Sequence, residues 1–418
     1  MAVELCAPTR EAGLSRSTDF ASRSGPQYTR SRNFDFGPGR RGNVSELSPY
    51  LRHRLLLELE VLEDVLKRQS LASAQKFVDE VFWRAYFKGW LEQHPSVWSD
   101  FNEILRKLLR QLERDSRLLE RYNSATGGNT GIDCFDAWVT ELESTGYLHN
   151  HARMWFASIW VFTLRLPWQL GADFFFRHLL DGDAASNTLS WRWVSGLHTP
   201  GKTYLARVSN IANYTDNRFN PQGQLATSAP PIEELPAHPM EPLPAADSLP
   251  HNEPFGLLIT EDDCAPEIGL LQRSPAAILG IVATRRRSPL PVGLPAYDFA
   301  SGAVADAVAR AEHAYDASGE VVELDQWDDR LLDWASRNQL SRIVTPYAPM
   351  GPTRDLLLAA RDRLERNGIG LLQLRRCYDE VSWPHASHGY FRLKKKIPSI
   401  LDRLGLTRNE ESWQSKAS

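Results

Sequence analysis

LLDGDAASNTLSWRWVSG, residues 179–196, is the stretch that decides how this chain is read. Asp181 and Asp183 sit two apart, Asn187 follows Asp183 by four, and Trp191 follows Asn187 by four. Spacing of four stacks side chains on one helical face. The same residues also describe an ordinary helix N-terminus, because Asp and Ser cap free amides and suit the positive end of the helix dipole. The surroundings favour more than a cap: Trp168, Phe174, Phe175 and Phe176 lie just upstream, and polar groups set in apolar bulk need partners.

Working outward, three further blocks stand out. Residues 130–154 read TGIDCFDAWVTELESTGYLHNHARM, residues 80–84 read EVFWR, and residues 45–51 read SELSPYL. Together with 179–196 they resemble, in the same order and over residues 28–220, the FAD-binding domain of the photolyase and cryptochrome flavoproteins, nearest to the cyclobutane pyrimidine dimer photolyases. One block alone would be a weak motif match; four in order are a specific one.

The resemblance implies a FAD site. Ser45, Leu47 and Ser48 match the turn that meets the cofactor phosphates, and a turn feeding a helix N-terminus suits that task. Tyr28, four before Arg32, matches the tyrosine preceding that turn. Arg84, Tyr147, Asn150, Arg153, Asp181, Asp183 and Asn187 match cofactor contacts, with Arg153 and Asp181 as an ion pair beside the ring. A carboxamide such as Asn187 can both donate and accept, which suits a ring that changes redox state. Trp191 and Trp168 match the first two members of an electron relay. The third falls near Asp115, where there is no indole, leaving Trp98, Tyr122 and Trp138 as nearby aromatics.

For the substrate, the resemblance implies a pocket for a flipped-out pyrimidine dimer lined by Trp83, Met154 and Trp193, with Glu80, Asn150 and His151 as polar contacts. Departures from the pattern gather here: His151 replaces an arginine, Ala85 an acid and Tyr147 a tryptophan. His151 reads equally as a donor or as a histidine with no chemical role. The implied activity is light-driven electron transfer from reduced FAD that splits dimers in damaged DNA, a lyase reaction. The alternative is a cryptochrome-like blue-light receptor that binds FAD and acts on a signalling protein.

Composition sets the bounds. The 418 residues are 42% hydrophobic and 24% charged, as in a globular protein, and most of the 13 Trp precede residue 200. A net charge of -4 argues against nucleic-acid binding by bulk electrostatics, leaving a local groove from residues such as Arg40, Arg41, Arg192, Lys202, Arg207 and Arg218. Cys6, Cys134, Cys264 and Cys377 lie too far apart for a metal or cluster motif. Free thiols, no membrane-length apolar run and no signal core lead to the expectation of a cytoplasmic monomer with no metal.

The expected fold is mainly α. A flexible arm, residues 1–40, precedes a helical domain, 41–222, in which Val61, Leu62, Val65, Phe77, Val81 and Phe82 recur at three and four. A Pro-rich linker, 223–253, leads to an α/β domain with a parallel sheet, 254–410. PYAPMGPTRDLLLAARDRLERNGIGLL, residues 346–372, faintly resembles the family's antenna domain, which in most members comes first; the order here is reversed and no antenna pigment is assigned. No G-x-G-x-x-G or Walker sequence marks a nucleotide site.

Overall fold

A computed structural model describes residues 6–232, 237–249, 253–322 and 327–406. Residues 1–5 of the expected arm, Pro236 and Pro250 of the linker and the stretch 407–410 lie outside these. Helices dominate up to Val208–Tyr214, and a five-stranded sheet with its own helices follows.

The hub of the helical half is the 22-residue helix Leu71–Glu92. Ser70 caps it by accepting from the Ser73 amide, and Phe77, Val78, Val81, Phe82 and Ala85 bury one continuous face. Gly89 lets the C-terminal segment cross it closely. A Cβ there would sit 2.9 Å from the Trp383 backbone and from Ala386.

All five strands run parallel in the order β3-β2-β1-β4-β5: β1 (Gly256–Thr260), β2 (Ala277–Ile281), β3 (Gly319–Val322), β4 (Arg342–Pro346) and β5 (Gly370–Leu374). β1 and β2 are buried on both faces, hence their unbroken apolar runs. β1 is the switch point, where the chain passes from one side of the sheet to the other. In open α/β sheets the crevice beyond the carboxyl end of that strand ordinarily takes a ligand.

Here the helical half fills the crevice. The acids that follow β1 meet Arg52, His53 and Arg54: Arg52 pairs with Asp262, the His53 ring bonds the Glu261 carbonyl at 2.7 Å, and Arg54 faces Asp263 at 3.5 Å. Arg54 also binds Asp379 at 2.7 and 2.8 Å and Glu58 at 3.3 Å. One apolar core runs through both halves, from Tyr50, Phe82 and Tyr86 to Leu257, Val304 and Tyr378.

The N-terminal segment departs from the expected irregular arm. Arg10–Ala21 and Pro26–Ser31 are helices, and Arg10 pairs with Glu60 while Gly13 packs on the Tyr50 ring. Residues 237–249 carry neither helix nor strand, yet they are tied down by bonds such as Glu241 N to the Gln93 carbonyl, 2.8 Å, and Gln373 N to Asp247, 2.8 Å. No helix among the described residues is long and apolar enough to cross a membrane.

Arg54 is buried, so removing Asp379, its nearest acid, leaves the charge with only the longer contacts to Glu58 and Asp263. Asp379→Ala is expected to lower unfolding free energy in urea by on the order of 3 kcal/mol. A loss under about 0.5 kcal/mol, the range of ordinary surface changes, would mean Glu58 and Asp263 suffice.

Candidate functional site

Residues 179–183 form the loop between helices Trp168–His178 and Ala184–Val194. Asp183 is the N-cap of the second helix, its carboxylate accepting from the Ser186 amide at 2.7 Å. Capping and site-forming are thus one arrangement. The loop is held from three directions. Leu180 N donates to the Gly146 carbonyl at 2.8 Å, Arg52 Nε donates to the Gly182 carbonyl at 2.7 Å, and Arg287 donates to the Leu179 carbonyl at 3.2 Å. Gly146 ends helix Asp133–Thr145 in the left-handed region, φ 66°, so Tyr147 and the Asp181 loop are positioned by one contact.

The expected polar residues converge on this loop. Arg153 Nη1 lies 3.0 Å from Asp181 Oδ2, and Ser48 stands beside the same carboxylate. Arg153 also donates to the Leu148 carbonyl at 2.9 Å, and Arg41 and Arg153 lie 4.5 and 5.5 Å from the Tyr147 ring centre. Arg84 Nη1 stands 3.9 Å from Asp183 and its Nη2 3.4 Å from the Ser48 carbonyl. The Asn187 amide is oriented by donating to the Ala172 carbonyl at 2.7 Å. Ser45 turns inward to accept from Leu47 N at 3.4 Å, and Leu47 has its side chain in the core and its carbonyl bonded by Leu51 N at 3.0 Å.

Two residues outside the sequence reading belong here. Lys88 Nζ is 3.6 Å from Asp183, and Arg52 reaches both Gly182 and Asp262. Lys88 had a signal: it follows Glu80 and Arg84 at steps of four on one helical face. Arg52 had none, because its partners lie 130 and 210 residues away.

Burial works against the charge on Asp183, but Lys88, Arg84 and Arg52 together outweigh it and hold the carboxyl far below the ordinary carboxylate range. Asp181 is lowered in the same way: burial opposes, and Arg153, Ser48 and Arg84 prevail. Lys88 moves down, chiefly through burial, with the neighbouring arginines adding to it against Asp183. Positive charge exceeds negative here. Arg84 Nη1, Lys88 Nζ, Asp181 Oδ1 and Ser186 Oγ are all buried and lack hydrogen-bond partners within the chain. Such atoms call for a ligand or water, and this mixture of cations, carboxylate and hydroxyl fits an anionic molecule that also carries polar donors.

The expected substrate residues are more exposed than this group. Glu80 pairs with Arg32, which also lies beside Tyr28. Its side chain keeps 36% of its surface open, and burial pushes its carboxyl upward while Arg32 pulls it back. Trp83 has one face covered by Tyr390, centroids 3.7 Å apart and 11° from parallel. Trp193 leans on Tyr204 at 5.6 Å, Met154 is half-buried, and Asn150 is exposed. His151 has both ring nitrogens engaged, with the Asn33 carbonyl at 3.0 Å and Tyr204 Oη at 3.3 Å.

Of the expected relay, Trp191 meets Phe175 at 5.1 Å and Trp160 at 6.2 Å, both edge-on, while Trp168 meets Phe101 at 5.7 Å. Trp160 lies in a π-helical turn, Ile159–Thr163, with Tyr122 6.3 Å beyond it. Asp115 caps helix Ser116–Thr126. Trp98 stacks with Phe101, and Trp138 with Trp155.

Residues 77–247 match the family model described as the FAD binding domain of DNA photolyase. The deoxyribodipyrimidine photo-lyase of Vibrio cholerae is 29% identical over 211 residues, 49% of this chain and 43% of that protein. That of Escherichia coli is 26% identical over 231 residues, 54% and 47% respectively. A cryptochrome structure from Synechocystis sp. PCC6803 superposes with a TM-score of 0.42 at 22% identity, covering 50% of this chain and 43% of that one. The chain spans under half the length of these relatives.

Two expectations follow from the geometry. A Cβ on Gly182 would lie 2.9 Å from the Phe176 carbonyl and 2.8 Å from Arg287 Nη1, and the backbone atom cannot swing aside. Gly182→Ala is therefore expected to cost about 1–3 kcal/mol, read as a lower melting temperature; an unchanged melt would show that the loop has slack. Burial also lowers His149 and His198 to about 4. Because the folded state resists their protonation, their stability contribution is complete above the unfolded value of about 6.5 and is lost as pH falls toward 4. His149→Gln is expected to flatten the fall of melting temperature across that window, and an unaltered slope would contradict it.

Proposed function

Taking the helical half as a relative of the FAD-binding domain of DNA photolyases, we propose that this chain binds FAD and uses blue or near-ultraviolet light to split cyclobutane pyrimidine dimers in damaged DNA. The observation that carries the reading is the group of buried atoms without partners, Arg84 Nη1, Lys88 Nζ, Asp181 Oδ1 and Ser186 Oγ, beside the Arg153–Asp181 pair. Reduced FAD, when bound, supplies the photoexcited electron for ring splitting and recovers it afterwards, so repair is redox-neutral.

The protein's part is binding, orientation and electrostatics. Lys88, Arg84 and Ser48 would hold the cofactor phosphates through charge-assisted bonds. Asp181, Arg153 and Asn187 would meet the polar edge of the ring, and Asp183 would meet the ring or ribose. Asp183 also keeps Lys88 from remaining a lone buried charge. Tyr28 and Tyr147 bound the site with aromatic surface. Glu80, held between burial and Arg32, would stabilise the charged dimer, while Trp83 and Trp193 would receive its bases. In the relay Trp191 would pass electrons inward to restore the reduced cofactor, with Trp168 in support.

A second reading has its own observation. Trp83 is stacked by Tyr390, and Glu80 is already paired with Arg32, so both substrate contacts are satisfied within the chain. This favours a light receptor that binds FAD without repair.

Absorption spectra of the purified protein before and after blue light test the cofactor, with a flavin spectrum that bleaches as the expected result. A colourless protein that FAD cannot reconstitute would overturn both readings. Repair of a dimer-containing oligonucleotide by the photoreduced protein then separates them. Glu80→Ala is expected to retain FAD and lose repair on the order of a hundredfold; full activity would remove Glu80 from the reaction.

A further inference from the structure

The sequence 388-HGYFRLKKKIP-398 contains the densest run of positive charge in the second half of the chain. It forms a short helix, Tyr390–Lys394, followed by Ile397–Arg403. One face is fixed. Tyr390 stacks on Trp83 and donates to the Asp79 carbonyl at 2.9 Å, Lys394 binds the Asp79 carboxylate at 2.6 Å, and Leu393 and Ile397 are buried in the core. The segment is therefore held against helix Leu71–Glu92 within one turn of Glu80, and Tyr390 lies close enough for the Glu80 charge to act on it.

The opposite face points outward. Arg392, Lys395 and Lys396 are exposed, and Phe391 keeps 75% of its surface open, the highest among the exposed large hydrophobic residues of the described chain. A single exposed apolar residue is ordinary. An exposed phenyl ring among three exposed cations is a more specific combination, because it offers both a stacking surface and phosphate contacts. Exposed Lys76 and partly exposed Arg32 also stand beside Glu80. In a chain of net charge -4, this is a local concentration of positive charge.

We propose that the outward face of residues 388–396, with Phe391, Arg392, Lys395 and Lys396, is a DNA-contact element that holds the phosphate backbone beside the opening over Glu80. The proposal rests on the repair reading above and adds to it a contact made by the segment after the sheet, outside the stretch related to photolyases. These cations would neutralise about three phosphates without reading sequence. Phe391 would pack on a sugar or a base next to the lesion.

The test measures fluorescence anisotropy of a labelled duplex, with and without one pyrimidine dimer, against the full-length FAD-loaded protein and two variants. FAD content and melting temperature confirm that each variant is folded. The triple variant R392A/K395A/K396A is expected to weaken binding of both duplexes to a similar degree, roughly tenfold or more at moderate salt, and to flatten the log–log salt slope by about 2.7. Phe391→Ala should weaken binding without altering that slope. If the triple variant keeps wild-type affinity and slope while the wild type still prefers the damaged duplex, the contact element is overturned and the repair reading stands. If the wild type binds both duplexes through this face but repairs neither, the element stands and the repair reading fails. Phe391-dependent binding to phosphatidylserine vesicles, with duplex binding unaffected by either variant, would also overturn the proposal and assign the face to a membrane surface.

Discussion

The structure depends on keeping the charge of Asp183 inside the protein. A buried carboxylate is tolerated only where opposite charge and hydrogen bonds replace water, and here the replacement comes from three cations and one amide. The amide belongs to Ser186, so the first turn of helix Ala184–Val194 exists in part because Asp183 is ionised. Two of the cations, Arg84 and Lys88, stand on helix Leu71–Glu92 and fix how those two helices meet. The third, Arg52, also bonds the Gly182 carbonyl and Asp262, which carries the constraint across to the sheet. Local capping, helix packing and the joining of the two halves thus share one charge.

That sharing gives the α/β half a structural task. The crevice beyond β1, where such sheets ordinarily receive a ligand, is occupied by Arg52, His53 and Arg54. The sheet therefore buttresses the loop that carries Asp181 and Asp183. Arg54 binds Asp379, Glu58 and Asp263 at once, and Asp263 also binds Arg376 at 2.5 and 2.7 Å. Interlocked ion pairs of this kind contribute little net stability over an apolar core, but they penalise every alternative docking that would leave one charge unpaired.

The legible parts of the chain were those whose signal is local. Asp183 and Asn187 are on one helix, and the strands β1, β2 and β5 announce themselves as apolar runs. The N-terminal helix Arg10–Ala21 was illegible because its buried residues are Gly13, Ser17, Phe20 and Ala21; it packs through small side chains, which leave no hydrophobic periodicity. β3 was missed because it is a four-residue edge strand, half exposed. Tyr390 on Trp83 and Arg52 on Asp262 could not be read at all, since each joins residues more than 200 positions apart and neither has a motif of its own.

The contact least expected from sequence is Tyr390 on Trp83, and its magnitude matters. An aromatic pair contributes about 0.5–1.5 kcal/mol beyond its buried area, while a base stacked on an aromatic side chain contributes about 1–3 kcal/mol. The two ranges overlap, and Tyr390 is also buried and donates to the Asp79 carbonyl at 2.9 Å, so stacking by a base alone would not displace it. The Arg32–Glu80 pair, with side chains 24% and 36% exposed, resembles surface pairs that contribute about 0–1 kcal/mol. The Arg32–Glu80 pair is therefore the weaker of the two contacts and Tyr390 the firmer, which keeps residues 388–396 against helix Leu71–Glu92.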